Sequence, residues 1–382
     1  MKKFISSSFI VLLAFSLLLS PTFIARAESD IDIISKSGLL MDYSSGEVLF
    51  EKNPTLHLPI ASMVKMMTIL ISLEEYEEGN IALDSLISTT ENASGMGGSQ
   101  VFIDPYVEYT FEDLLKSVIM ASANDASVAL AEYFNGNEKS FTNRMNKRAK
   151  ELGMNDTNYA NCTGLPAPEQ YSCAKDCAIL MREVLKHELY HKYSTIWMDE
   201  LTHPSGRKTE LVNTNKLIRY FEGCDGGKTG STNEAGCCLT ASAKRGDMRL
   251  ISVIIGAENS KTRFNESSLL LNYGFANFEN KFLVDVNTPI SNLPISKGKM
   301  ENCDVYASEN FVAIMKKGNN TTYETNVNLP TTLKAPLKNG QKVGSVKVTK
   351  DGNIVKEIDL IVKTDVKHSS YFDSAKKVIE NW

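Results

Sequence analysis

The chain has no excess of basic residues. Its 41 Lys and Arg stand against 46 Asp and Glu, a formal net charge of −5 over 382 residues. Without a surplus of cations to meet phosphates, nucleic acid is excluded as a main partner. No two Cys-x-x-Cys units occur, which argues against a structural zinc ribbon. No repeat of solenoid period is visible. A composition of 42% hydrophobic and 23% charged residues lacks the bias of a collagen-like, disordered or multi-span membrane chain. The length points to two domains, either of them large enough to bury a core.

The N-terminus is different. Lys2 and Lys3 precede an apolar run from Phe4 to Leu19, and small residues follow at Ala25 and Ala27. This is the pattern of a secretory signal peptide ending at residue 27. Removing it takes Lys2, Lys3 and Arg26 and no acidic group, so 41 less 3 leaves 38 bases against 46 acids, a net of −8. The protein is thus expected outside the cytoplasm. Its seven cysteines, Cys162, Cys173, Cys177, Cys224, Cys237, Cys238 and Cys303, are an odd number for an exported chain. Several sit among apolar or small residues, so free buried thiols are expected rather than a disulfide framework.

Gly38–Met41 and Glu47–Phe50 flank turn residues and predict a hairpin. Pro59 precedes Ile60–Leu73, a mostly apolar helical pattern that predicts a buried helix. Helices are predicted over Phe111–Met120, Asp125–Phe134, Cys177–Tyr193 and Ser267–Phe278, with Ala121–Asn124 as a small-residue break. Gly226–Gly230 reads as a glycine-rich turn. It leads into two antiparallel strands, Gly236–Ala243 and Arg249–Ile255. Composition changes near Asn280. Beyond it Asp304–Tyr306, Phe311–Met315, Thr321–Val327, Lys342–Val348 and Ile354–Val362 predict a small all-β domain, with Asn339-Gly340 and Asp351-Gly352 as hairpin turns.

Three short motifs carry chemistry. Ser62-Met63-Val64-Lys65 opens the apolar helix, and a spacing of three puts hydroxyl and amine one turn apart on one face. A serine hydroxyl is a weak nucleophile until a base removes its proton. A desolvated lysine can be that base. The helix start also offers N–H groups to a developing oxyanion. Ser122-Ala123-Asn124 lies on the inter-helix break, where a hydroxyl and an amide can face a cleft. Lys228-Thr229-Gly230 supplies charge, a hydroxyl for a substrate carboxylate, and a glycine that lets a substrate backbone come close. Each alone has an ordinary reading as a helix start, a turn or a loop. In this order, and each on its expected element, they form the signature of penicillin-binding proteins and serine β-lactamases.

Longer stretches extend the likeness. These are Leu58–Thr68, Gly97-Gly98-Ser99, Glu112–Leu115 running into Ser122–Ala126, Asn161–Pro166 and Asp225–Gly230. Over about residues 35–367 the chain resembles the serine-type D-alanyl-D-alanine carboxypeptidases, low-molecular-mass penicillin-binding proteins. The resemblance implies an α+β fold: a β-lactamase/transpeptidase-like domain, an antiparallel sheet flanked by helices, followed by a small all-β domain. The division expected is a signal peptide over 1–27, the catalytic domain over 28–279, the β-rich domain over 280–367 and a tail over 368–382. The implied reaction removes the terminal D-alanine from peptidoglycan stem pentapeptides through a Ser62 acyl-enzyme. Lys65 would be the base, Ser122 the proton donor to the leaving amine, and Asn124 and Lys228 would orient the site. The N–H groups of Ser62 and Ser231 would form the oxyanion hole beside Gly230, and Thr229 with Arg263 would clamp the substrate carboxylate. β-Lactams would inhibit by acylating Ser62. No cofactor or metal is implied. The rival readings are a serine β-lactamase, whose glutamate-held water finds no convincing Glu-x-x-x-Asn counterpart here, and a non-catalytic envelope-binding module.

Two features stand outside this scheme. His187-Glu188-Leu189-Tyr190-His191 matches the H-E-x-x-H zinc motif, with Glu188 as its base. Lys186 and Lys192 flank it and no motif supplies a third ligand beyond His203, so it reads as a solvated helix face. In the tail, Tyr371, Phe372, Ala375, Val378, Ile379 and Trp382 fall on one helical face. They predict peripheral contact with the outer face of a membrane.

Overall fold

The structure is a computed structural model that describes residues 31–318 and 322–370. The signal-peptide and membrane-tail readings fall on residues outside these, as does Thr321. The first strands are β1 (Ser37–Asp42) and β2 (Val48–Lys52), joined by the expected turn. The Asp42 carboxylate accepts from Ser45 N–H and Oγ, both at 2.7 Å, which closes it. A short 3-10 turn (Ala61–Val64) then runs into α1 (Lys65–Glu77). Every residue from Lys65 to Leu73 is buried, so α1 is a central helix, as its lack of a polar face predicts.

A layer of helices surrounds it. Between β3 (Leu86–Ser88) and β4 (Glu108–Thr110) lies the single turn α2 (Glu91–Ser94). Next come α3 (Phe111–Met120), α4 (Asn124–Asn135) and α5 (Glu138–Glu151). The Thr110 side chain caps α3 by accepting from Asp113 N–H, with acidic Glu112 and Asp113 in the first turn. The helix expected over Cys177–Tyr193 is two helices, α6 (Ala174–Val184) and α7 (Glu188–Ser194). The chain tightens into i→i+3 bonds at Lys186 and His187 and leaves the helix at His187, whose ψ is 118°.

The hairpin β5 (Met198–Thr202) and β6 (Lys208–Val212) and the turn α8 (Leu217–Tyr220) lead to the sheet strands β7 (Cys224–Thr232), β8 (Gly236–Arg245) and β9 (Met248–Ala257). Here Gly226–Gly230 is strand interior rather than a turn. The long α9 (Ser260–Asn277) follows, capped by Asn259. The sheet runs β2-β1-β9-β8-β7, antiparallel throughout. Side chains alternate across it. Leu39, Met41, Ile251, Val253 and Ile255 join the core around α1. On the other face Ser252 Oγ meets Ser267 Oγ of α9 at 2.6 Å, and Gly274 lets α9 approach Leu40 and Leu250. The sheet is therefore covered on both faces, and β7 is left as an edge.

Beyond α9 the described residues are all β, as the composition predicts. The two-stranded pair is β10 (Phe278–Val284) with β13 (Phe311–Lys316). The larger sheet holds β11 (Ser291–Ser296), β12 (Asn302–Ala307), β14 (Tyr323–Asn328), β15 (Leu333–Lys334), β16 (Lys342–Lys350) and β17 (Asn353–Val362), in the order β14-β16-β17-β12-β11-β15. Its core includes Val305, Val346, Val348, Ile358, Leu360 and Val362. Asp351-Gly352, both at positive φ, makes the β16–β17 hairpin. Asn339-Gly340 is a turn but not a hairpin, because β15 pairs in parallel with β11 and not with β16.

The central position of α1 has a measurable consequence. Leu70 is fully buried. Leu70→Ala is expected to destabilise the protein by about 2–5 kcal/mol, seen as a lower denaturant midpoint for loss of the helical signal.

Candidate active site

Lys65 begins α1 and is fully buried. Its Nζ donates to Ser62 Oγ at 3.1 Å and to the Thr163 carbonyl at 2.5 Å. Burial draws the ammonium from its ordinary 10.5 down to about 7, with Cys162 and Asp125 pulling weakly the other way. The amine can therefore be uncharged near neutral pH beside a hydroxyl it can deprotonate. The 3-10 turn supplies the geometry: Ala61 sits at φ +48°, a conformation an L side chain adopts only under constraint, and Ser62 follows it half-buried at the mouth.

The loop Asn161–Leu165 forms the floor. Asn161 Oδ1 accepts from Thr163 N–H at 3.1 Å and from Gly164 N–H at 2.7 Å, which holds the Thr163 carbonyl where Lys65 needs it. Gly164, at φ +81°, leaves room for the Ala61–Ser62 peptide; a Cβ there would lie 2.1 Å from the Ala61 oxygen. Thr163, Asn161 and Asp125 had no role in the motif reading. Their one sequence signal was membership of the family-like stretches.

Ser122 stands between α3 and α4 at φ +61°, 3% exposed. Its Oγ accepts from Lys228 Nζ at 2.6 Å, and Lys228 also donates to the Thr229 carbonyl at 3.1 Å. Lys228 is buried, and its pKa falls well below the ordinary value through desolvation first and then the charges of Lys65 and Arg263. Basic groups gathered in a dry crevice favour an anionic ligand, whose charge in turn stabilises their protonated forms. Asn124 opens α4. Its N–H donates to Ser99 O at 2.7 Å and its Nδ2 to Gly97 O at 2.6 Å. Its Oδ1 is buried with no partner among the described residues, an acceptor open to a ligand N–H. The next residue, Asp125, is fully buried and accepts from the N–H groups of Val101 and Ile103.

The third motif lies on the sheet edge. Gly230 packs on the nucleophile turn: a Cβ there would lie 2.5 Å from Ile60 O and 3.1 Å from Ser62 N. Ser62 and Ser231 are thereby neighbours, and two N–H groups converging near the nucleophile are what an oxyanion requires. Thr229 is 6% exposed. Arg263 of α9 donates through Nη1 to Gly230 O at 3.0 Å and to Cys238 O at 3.3 Å, so its guanidinium braces β7 and β8, while Nε is buried with no partner among the described residues. All three motifs thus meet at one crevice.

The histidine motif does not. His187 ends outside α7 with Nδ1 2.8 Å from Glu77 Oε1, and His191 Nε2 bonds the Leu185 carbonyl at 3.0 Å. His203 is buried against Tyr109 Oη and Thr209 Oγ1. The seven cysteines all carry free thiols, five of them buried and Cys224 and Cys237 partly exposed. Among the described residues no helix is long and apolar enough to cross a membrane.

Comparison with known proteins gives concordant findings. The family model described as D-alanyl-D-alanine carboxypeptidase matches residues 24–259. That described as penicillin-binding protein 5, C-terminal domain, matches residues 278–368. The chain is 38% identical over 349 residues to D-alanyl-D-alanine carboxypeptidase DacF of Bacillus subtilis, covering 91% of this chain and 90% of that one. It is 34% identical over 370 residues to DacC of Escherichia coli, covering 94% and 91%. Penicillin-binding protein 5 of Haemophilus influenzae superposes with a TM-score of 0.73 at 32% identity, over 89% of this chain and 100% of that one.

The site makes a pH-dependent prediction. A base at Lys65 would act only when unprotonated, so acylation at Ser62 is expected to slow about tenfold per pH unit below about 7. Stopped-flow acylation by a chromogenic β-lactam between pH 5 and 9 measures it. A rate flat across pH 7 would contradict it.

Proposed function

The chain belongs to the D-alanyl-D-alanine carboxypeptidase family, and from that premise we propose how its crevice works. It is a serine DD-carboxypeptidase that removes the terminal D-alanine from peptidoglycan stem pentapeptides and is acylated by penicillins. Ser62 Oγ attacks the carbonyl between the two D-alanines while Lys65 takes its proton. The N–H groups of Ser62 and Ser231 hold the tetrahedral oxyanion. Ser122 passes a proton to the leaving D-alanine amine, oriented by Lys228, and Asn124 positions the substrate backbone. Thr229 and Arg263 clamp the terminal carboxylate beside the cationic crevice. Water then hydrolyses the acyl-enzyme. A β-lactam reaches the same acyl state and is expected to leave slowly, since no glutamate among the described residues hydrogen-bonds Ser62 or Lys65 to hold a deacylating water.

The observation that carries this reading is the 3.1 Å contact between Ser62 Oγ and a buried Lys65, in one crevice with the Lys228–Ser122 pair. Labelled penicillin and a pentapeptide ending in D-Ala-D-Ala test it. The wild type is expected to take a lasting label and release D-alanine; Ser62→Ala is expected to do neither. Rapid turnover of label would make the protein a β-lactamase, and no label would leave the site idle.

We also propose that residues 1–27 direct export and are removed, that catalysis lies within 28–279, and that 280–367 forms a separate β-rich domain. The tail from 368 would then attach the enzyme peripherally to the outer face of the cytoplasmic membrane. Deleting residues 369–382 is expected to shift it from the membrane fraction to the soluble one; unchanged fractionation would contradict the attachment.

A further inference from the structure

The two histidines of the motif face Glu77 and the Leu185 carbonyl, while its fourth residue, Tyr190, reaches the active-site strand. Tyr190 and Ser194 are one turn apart on α7, and both are buried. Tyr190 Oη accepts from Gly227 N–H at 2.9 Å and lies 3.5 Å from Gly227 O. Ser194 Oγ donates to Asp225 O at 2.8 Å. Two residues of one helix face thus bond alternate residues along the outer edge of β7. Asn215 Nδ2 completes the clasp by donating to Gly226 O at 3.1 Å. Gly227 and Lys228 are consecutive, so whatever fixes the Gly227 peptide fixes where the Lys228 side chain starts.

The glycines record the same constraint. A Cβ on Gly226 would lie 2.9 Å from Tyr190 Cε1 and 3.1 Å from its Oη. Gly227 holds φ +146°, and a Cβ there would lie 2.6 Å from Thr240 O and 2.7 Å from Asn215 Nδ2. The run Asp225-Gly226-Gly227 therefore exists to admit the clasp. Farther along, Lys228–Gly230 are buried, Gly230 packs on the Ala61–Ser62 turn, and Ser231 is exposed. Helix α7 occupies the place of a neighbouring strand over Asp225–Gly227 only. An edge strand left open there would be free to shift in register or to pair with other chains.

We propose that Tyr190 and Ser194 are positioning residues for the reaction: their clasp on Asp225 and Gly227 holds β7 so that Lys228 reaches Ser122. The inference rests on the reading of Ser62 as the acylated nucleophile and of Lys228 as part of its machinery. Loss of the clasp frees only Asp225–Gly227, because Arg263 and the Ala61–Ser62 turn still hold Gly230 and the groups beside it, but it lets Lys228 move from its 2.6 Å contact with Ser122. The acylation step should suffer, and the affinity of the initial complex should not.

A double-mutant cycle decides. Tyr190→Phe removes only the hydroxyl and keeps the ring packed on Gly226; Ser194→Ala provides a second, independent cut. Each is made in the wild type and in a Lys228→Ala background, and penicillin acylation is resolved into initial binding and bond formation. In the wild-type background each substitution is expected to slow bond formation about tenfold, the scale of one buried hydrogen bond, with initial binding unchanged. In the Lys228→Ala background the same substitutions are expected to cost less than about twofold, because they act through that lysine. Equal losses in both backgrounds would overturn the proposal and mark the clasp as structural only. Unchanged acylation in a folded variant would overturn it too. Wild-type protein labelled in the same run separates the premises: unlabelled wild type removes the Ser62 reading and this inference with it.

Discussion

The structure depends on the burial of one amine. Lys65 lies at the start of a central helix, with no water-facing surface of its own. Desolvation is the largest influence on its charge, and it outweighs the opposing pull of Asp125 and Cys162. A lysine so placed is a poor structural element, since burying its charge costs far more than an apolar residue would. It is a good base, because the same cost weakens its hold on the proton. The Thr163 carbonyl takes one of its hydrogen bonds, which leaves the amine aimed at Ser62.

The rest of the catalytic domain is arranged around keeping that crevice narrow. Gly164 and Gly230 press on the Ala61–Ser62 turn from two sides, and neither position has room for a Cβ. Ala61 and Ser122 hold left-handed backbone conformations, strain that the surrounding packing must support. Arg263 ties the carbonyls of Gly230 and Cys238 from behind, and α7 grips β7 from its outer edge. The sheet has two edges, β2 and β7, and it is β7 that runs beside Ser62. Fold and chemistry meet there, because an extended peptide can lie along a strand edge as another strand would.

Much of this was legible in the sequence because the signals are local. A spacing of three residues is enough to place Ser62 over Lys65, and the apolar run after it has no alternative but burial. The hairpin of β8 and β9 and the all-β character beyond Asn280 follow from short-range alternation and turn residues. What the sequence hid is non-local. The acceptor for Lys65 is a backbone carbonyl, which has no residue identity, on a loop 98 positions away. The glycines from Gly226 to Gly230 look like a turn because turns are the common use of glycine; their actual need is the close approach of Tyr190 to Gly226, of Thr240 and Asn215 to Gly227, and of the Ile60–Ser62 turn to Gly230. The same distance explains the histidine motif, whose spacing suggests zinc while the chain breaks at His187 and sends Tyr190 to the sheet.

One measurement reaches the central claim directly: titration of the Lys65 amine itself, followed by NMR in protein carrying lysine labelled at the Cε position and assigned with a Lys65→Arg variant. The account predicts a midpoint at about 7 in place of the ordinary 10.5. A midpoint near the ordinary value would show an ammonium that stays charged at neutral pH and could not be the base that activates Ser62.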